Sequence, residues 1–226
     1  MMLELVKNKA IPGNIEDSPL RGLLSKAQFL AFNRKQVVFC EGHPALGIFC
    51  IRSGRVKVSK MGYNGRPHIL HISGQGEILN AECAFGSEAF TSTGEMMEEG
   101  SIAFIERAKF VDMISADPTL ALLIADLLAN RITASHEERV YLAEGTMRER
   151  MARALVVLGR NYGLECDKGV LINLPLSRAD FANMIGTTSG TVMRLIKEFK
   201  EDKAIRLKGK HIVIERAEFL EEVAHI

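Results

Sequence analysis

Leu174–Lys197 reads L-P-L-S-R-A-D-F-A-N-M-I-G-T-T-S-G-T-V-M-R-L-I-K, and its punctuation decides the fold of the C-terminal third. Ser177, followed three residues later by Asp180, resembles a capping box with a short acid and predicts a helix start. Phe181, Met184 and Ile185 give that helix an apolar side, and Gly186 predicts its end. Only Thr187 then intervenes before Thr188, a hydroxyl residue suited to N-cap a second helix. Two short helices joined by so tight a glycine turn spell a helix-turn-helix.

Projected at about 100° per residue, the second helix sorts its side chains onto two faces. Val192, Leu195, Ile196 and Phe199 share one, which should be buried. Ser189, Gly190, Met193, Arg194 and Lys197 share the other, where a helix lying in the major groove carries its base and phosphate contacts. Glycine in a first turn forfeits up to about 1 kcal/mol of helix propensity, a cost that makes sense where backbone must approach a ligand closely. Lys200, Lys203 and Arg206 follow. Lys208-Gly209-Lys210 then sits between the strand-like runs Ala204–Leu207 and His211–Ile214, which predicts a hairpin wing with two lysines at its tip, placed to touch phosphate.

Upstream, Met147–Tyr162 reads as a helix with Met151, Leu155, Leu158 and Tyr162 on one face, although Gly159 leaves its end uncertain. Gly163–Asn173 predicts a loop and a short strand at Val170–Ile172. From Asp117-Pro118 to Glu144-Gly145 the chain contains no internal proline or glycine, and proline suits the first position of a helix. Such a helix of about 27 residues reaches about 40 Å, longer than docking on a small domain needs, so its expected partner is a second copy of itself. Before it, the apolar runs Val37–Cys40, Gly47–Ile51, Val56–Val58, His68–Ile72 and Ile102–Ile105 are separated by glycines and predict strands. Asn64-Gly65 signals a type I′ hairpin; Ser53-Gly54 and Ser73-Gly74 mark further turns. The expected class is α+β: an antiparallel β-roll over 1–116, a dimerisation helix over 117–146 and a winged helix-turn-helix over 147–226.

Composition agrees with a soluble globular chain. Of 226 residues, 47% are apolar and 25% charged. The net charge of +1 is split: residues 147–226 hold 14 Lys and Arg against 11 Asp and Glu, and the remainder carries −2. No window is long and apolar enough to span a membrane, and Met1–Ala10, with Glu4, Lys7 and Lys9, has no signal-peptide core, so a cytoplasmic protein is expected. Cys40, Cys50, Cys83 and Cys166 form no C-x-x-C and read as reduced, mostly buried thiols, with a redox pairing of Cys40 and Cys50 unsupported. Nothing matches the motifs of hydrolases, P-loop nucleotide enzymes or zinc proteases, so no enzyme is expected.

A glycine-punctuated roll, a long helix and the quoted stretch together resemble the family of the catabolite activator protein and the fumarate-nitrate regulator, over roughly residues 20–215. The resemblance implies a homodimer along the long helix, effector sensing in the roll, and transcriptional control through RNA polymerase at an inverted-repeat operator in double-stranded DNA. The DNA contacts it suggests are Ser177, Thr188, Ser189, Gly190, Thr191, Met193, Arg194, Lys197, Lys208 and Lys210. Many family members place Arg-Glu or Val-Glu ahead of Thr-Val-x-Arg; Ser189-Gly190 stand here instead, so the operator should differ. Arg194 is retained, and its guanidinium can make a bidentate contact with guanine worth about 1–3 kcal/mol of discrimination.

The corresponding effector pocket would comprise Ala81, Glu82, Phe85, Phe90, Thr91 and Ser92, with Arg131, Ser135 and His136 from the helix side and Met96 as a further apolar lining. Members that bind cyclic AMP hold its phosphate with an Arg-Ser pair, and Thr91-Ser92 stand here. An unpaired phosphate would be desolvated at a cost of several kcal/mol, so a different small-molecule effector, or none, is expected. The clustered N-terminal cysteines of an iron-sulfur protein are missing. His68 and His71 point to opposite faces of a strand, and His43 and His136 are lone histidines, so neither haem nor metal is expected. The competing function is a cyclic-nucleotide-binding-like module that regulates a protein partner without DNA.

Overall fold

The computed structural model describes residues 21–226. The readings made for Met1–Ala10 and for the start of the first domain lie outside the described residues. By contacts the chain divides into two compact units, with the division between Thr133 and Ala134.

The first unit opens with a short helix α1 (Arg21–Ser25) and strands β1 (Gln28–Phe32), β2 (Val37–Phe39), β3 (Gly47–Ser53), β4 (Val56–Met61), β5 (Pro67–Ser73) and β6 (Ile78–Leu79). A 3₁₀ turn (Ala81–Ala84) precedes β7 (Thr93–Met96) and β8 (Gly100–Glu106). They form two antiparallel sheets, β1-β8-β3-β6 and β2-β7-β4-β5. Period-two alternation explains why β3 reads as one apolar run. Phe49 and Ile51 face the other sheet, in a cluster with Phe39, Val56, Val58, Phe90, Met96 and Ile102. Ile48 and Cys50 face the opposite way, packing with Ala103, Ile105 and Phe110 beside Leu120 and Ile124. A strand buried on both faces has no polar side to show. Each large apolar side chain so buried contributes about 1.5–3 kcal/mol.

The β4–β5 hairpin is present, but its turn is not type I′. Gly65 has φ +72 while Asn64 does not share a positive φ. The Gly65 amide donates to the Gly62 carbonyl and the Gly62 amide to Arg66, each at 2.9 Å. This is a three-residue loop closed by a left-handed glycine, the alternative that a longer connection selects. Helix α2 (Arg107–Ala116) carries none of the signals read above, because it follows β8 directly and its N-cap, Glu106, makes no side-chain cap. Helix α3 (Pro118–Glu144) has the expected bounds. Asp117 Oδ1 accepts from the Thr119 and Leu120 amides, satisfying donors that a helix start leaves open.

In the second unit, α4 (Met147–Tyr162) begins at a complete capping box, Thr146 with Glu149. Gly159 does not end it. A Cβ there would stand 2.7 Å from Ile214 Cδ1, so the glycine makes room for a neighbour inside an unbroken helix. Strands β9 (Gly163–Cys166) and β10 (Gly169–Ile172) follow, then α5 (Arg178–Ile185), α6 (Ser189–Glu201), β11 (Ile205–Lys208), β12 (His211–Ile214) and α7 (Ala217–Val223). The sheet order is β11-β12-β10-β9. Residues 163–166, expected as loop, pair with β10 in full register.

Candidate functional site

Ser177 and Asp180 form the capping box that starts α5, and Gly186, at φ +72, ends it by donating its amide to the Ala182 carbonyl. Thr188 caps α6 by accepting from the Thr191 amide. Val192, Leu195, Ile196 and Phe199 are buried, which turns the other face outward. Thr188, Ser189, Gly190, Met193, Arg194 and Lys197 are exposed and Thr191 is half-buried. A Cβ at Gly190 would meet nothing closer than Thr188 Oγ1 at 3.8 Å. Packing within this unit therefore does not require glycine there. Three expected contacts have engaged hydroxyls: Ser177 Oγ lies 2.6 Å from Asp180 Oδ2, and the Thr188 and Thr191 hydroxyls lie 3.1 Å apart.

The wing is a two-residue hairpin, Lys208 paired with His211 across Gly209 and Lys210. Gly209 takes φ +62 at the first tip position, which a tight hairpin reserves for glycine, and both lysines are exposed. Four of the expected contacts are exposed cations, Arg194 and Lys197 on α6 and Lys208 and Lys210 at the wing.

Sequence reasoning missed the groups that steady this surface. Arg194 Nη1 pairs with Glu198 Oε1 at 2.5 Å, Glu198 Oε2 with Arg148 Nη1 at 3.3 Å, and Arg148 Nη2 with Asp202 Oδ2 at 2.8 Å. Arg150 Nε donates to the Gly145 carbonyl, Nη1 to Ile185 and Nη2 to Leu142, so one guanidinium holds the C-terminal end of α3 and that of α5. Cations are favoured at helix C-termini. The i, i+4 spacing of Arg194 and Glu198 was a usable signal; Arg148 and Arg150 become neighbours of these groups only through folding.

The residues expected to line an effector pocket do not all converge. Phe90 and Met96 are buried in the roll, the Phe90 ring packing at a tilt against Phe39 and Phe49 with centroids 5.3 and 5.9 Å apart. Phe85 is exposed and packs on the outside against Phe110 at 6.4 Å. The cavity lining expected of Phe85, Phe90 and Met96 is therefore corrected: two are core and one is surface. Ala81 and Ser92 are buried, and Glu82 and Thr91 are exposed. A cation does stand beside Thr91, since Lys60 Nζ donates to its carbonyl at 2.7 Å, but Glu41 holds the same ammonium at 2.6 Å. Ser135 and His136 lie exposed on α3 in the other compact unit.

Arg131 is the polar centre of this region. It donates to the Ile78 carbonyl and lies 3.7 Å from Glu82 Oε2. Burial lowers its pKa against the pull of Glu82 and Glu77. Burial raises that of Glu77, opposed by hydrogen bonds from Ser73 and the Gly74 backbone and by Arg131. His71 is pushed down to about 3, first by burial and then by Arg131, and stays neutral. Asn80, at φ 60, is buried and its Nδ2 has no hydrogen-bond partner. A bulge separates His68 from His71, whose register jumps from Ser59↔Ile69 to Val58↔His71, so simple alternation does not fix their relative direction. Cys50 is buried and its thiol raised to about 12, which keeps it protonated and unreactive. Among the described residues no helix is long and apolar enough to cross a membrane.

Residues 29–117 match the family model described as a cyclic nucleotide-binding domain, and residues 149–223 the one described as a Crp-like helix-turn-helix domain. The chain is similar to the CRP-like cAMP-activated global transcriptional regulator of Mycobacterium tuberculosis, 25% identical over 219 residues that cover 97% of this chain and 98% of that protein. It is also similar to the global nitrogen regulator of a Nostoc species, 26% identical over 194 residues, 82% of this chain and 84% of that one. In fold it is similar to the c-di-GMP responsive global regulator CLP of Xanthomonas campestris, with a TM-score of 0.78 and 21% identity over 86% of this chain and 97% of that one. FixK2 from Bradyrhizobium japonicum gives a TM-score of 0.77 and 20% identity, covering 87% and 96%. With both domain models matched in this order and similarity running through nearly the whole chain, the protein belongs to the CRP/FNR family of DNA-binding transcription regulators.

Proposed function

We propose that the chain acts as a homodimer that reads an inverted-repeat operator and controls RNA polymerase, under an effector other than cyclic AMP or with none. The reading gives the roll, before residue 117, to sensing, 117–146 to dimerisation and 147–226 to DNA. The observation that carries it is the division of α6: its apolar side is wholly buried, leaving Ser189, Gly190, Thr191, Met193, Arg194 and Lys197 outward after a glycine turn, with Lys208 and Lys210 on the wing. Such a face enters the major groove with side chains for base edges while wing lysines meet phosphate.

Pairing of copies along α3 is supported by Leu122, Ile132 and Val140, large apolar side chains exposed on a helix of which only Leu120 and Ile124 are fully buried. An effector other than cyclic AMP is favoured because Thr91 offers no guanidinium, and the nearby Lys60 and Arg131 already face Glu41 and Glu82. The names of similar proteins differ on this point too, one being cAMP-activated and another c-di-GMP responsive.

Selection of random duplex DNA by the purified protein, at a fixed salt concentration and with or without a small-molecule extract, tests the reading. Enrichment of an inverted repeat with half-sites about one helical turn apart is expected, and Arg194→Ala should lose the preference at one base pair of each half-site. Dependence on the extract would establish an effector. No enrichment in either arm would overturn the operator reading.

A further inference from the structure

Arg194 does not stand alone on the outward face of α6. Its Nη1 is held by Glu198 one turn later, and the second oxygen of that carboxylate is held by Arg148, from the first turn of α4. Arg148 is fixed in turn by Asp202 at 2.8 Å and by the ring of Phe199, whose centroid lies 4.8 Å from its guanidinium carbon. Phe199 is wholly buried. The chain of pairs therefore runs from the core of the unit, through Arg148 and Glu198, to the exposed guanidinium.

Isolated surface ion pairs fix little, because each partner keeps its rotamers and solvent screens both. Here both oxygens of one carboxylate are occupied by different arginines, and the arginine away from the exposed face has three contacts. With Nη1 on Glu198, the Nε–Nη2 edge of Arg194 is left for a second planar acceptor. Guanine offers such an acceptor through O6 and N7. Arginine makes this bidentate contact only when its fork is correctly turned, so whatever turns the fork contributes to base choice.

We propose that Arg148 is a positioning residue that sets operator specificity without touching DNA, aiming Arg194 at a guanine through Glu198. The proposal rests on α6 being the helix that reads DNA. It assigns Glu198 the role of orienting a neighbour, not of accepting from a base.

The test is equilibrium binding of the full chain to its selected operator and to versions changed at each base pair of a half-site, at several salt concentrations. Arg194→Ala identifies the base pair concerned by loss of preference there. Arg148→Met keeps an apolar stem over Phe199 and removes the guanidinium. It should lower the preference for guanine at that same base pair roughly three- to tenfold, a part of what a whole bidentate contact supplies. Preferences elsewhere and the salt slope should not move, whereas loss of a phosphate contact would reduce the slope by about 1. Glu198→Gln should act at the same base pair, and Arg148→Lys should restore part of the preference. An unchanged preference in both Arg148→Met and Glu198→Gln, or an equal loss at every base pair in both, would overturn the positioning role. A wild-type protein with no preference at any base pair would instead overturn the reading of α6.

Discussion

Acid should weaken the roll through a single imidazole. His71 is held neutral in the folded chain, with its pKa pushed down to about 3 by burial and by Arg131, against an ordinary value of 6.5. Between those values the unfolded chain binds a proton that the folded chain refuses, so stability falls as the pH falls through this window. At pH 5 nearly all unfolded molecules carry that proton and almost no folded ones do. Relative to pH 7 the imidazole then removes about 2 kcal/mol. Glu77 works in the opposite sense: its raised pKa lets the folded chain take a proton first, so acid adds stability down to 4.5. The wild-type protein therefore shows only the difference, and the variant His71→Gln isolates the imidazole. Urea unfolding of both proteins at pH 7 and pH 5, at one protein concentration, gives four free energies. The wild type should lose about 2 kcal/mol more than His71→Gln between the two pH values. Equal losses would refute the assignment of this pH dependence to a neutral His71.

Two further outcomes follow from backbone geometry. Gly169 has φ +113, and a Cβ built there would stand 1.9 Å from the Ile214 carbonyl oxygen, so Gly169→Ala should destabilise the second unit by about 2–4 kcal/mol, read as a lower urea midpoint at unchanged slope. Arg150→Met removes one guanidinium from three carbonyls, at the ends of α3 and α5, and should cost about 2–3 kcal/mol, with faster proteolysis around Gly145 as the accompanying readout.

What could be read from the sequence was what is local. Ser177 with Asp180, Gly186 and Thr188 each act within a few residues, so the helix-turn-helix was legible, as was the start of α3 at Asp117-Pro118. The missing elements lacked such signals. β9 pairs fully with β10 although Leu164 and Glu165 are exposed, so its pairing shows no inward-facing pattern. α2 grows straight out of β8 without a cap. The placement of the expected pocket residues was hidden for a different reason: whether Phe85, Phe90 or Met96 faces core or solvent depends on strands far away in the chain. Arg148 and Glu198, 50 positions apart, are likewise joined only by packing.

The two faces of α6 answer to different demands. Val192, Leu195, Ile196 and Phe199 carry the weight of folding, while Ser189, Gly190, Met193 and Lys197 touch little that the fold depends on. Surface changes of that kind usually alter stability by less than about 0.5 kcal/mol. On the proposed reading of α6, descendants of this sequence can exchange one operator for another by drift on four exposed positions, with the scaffold beneath them left intact. Mutational tolerance and the capacity for new regulation are, in this helix, the same property.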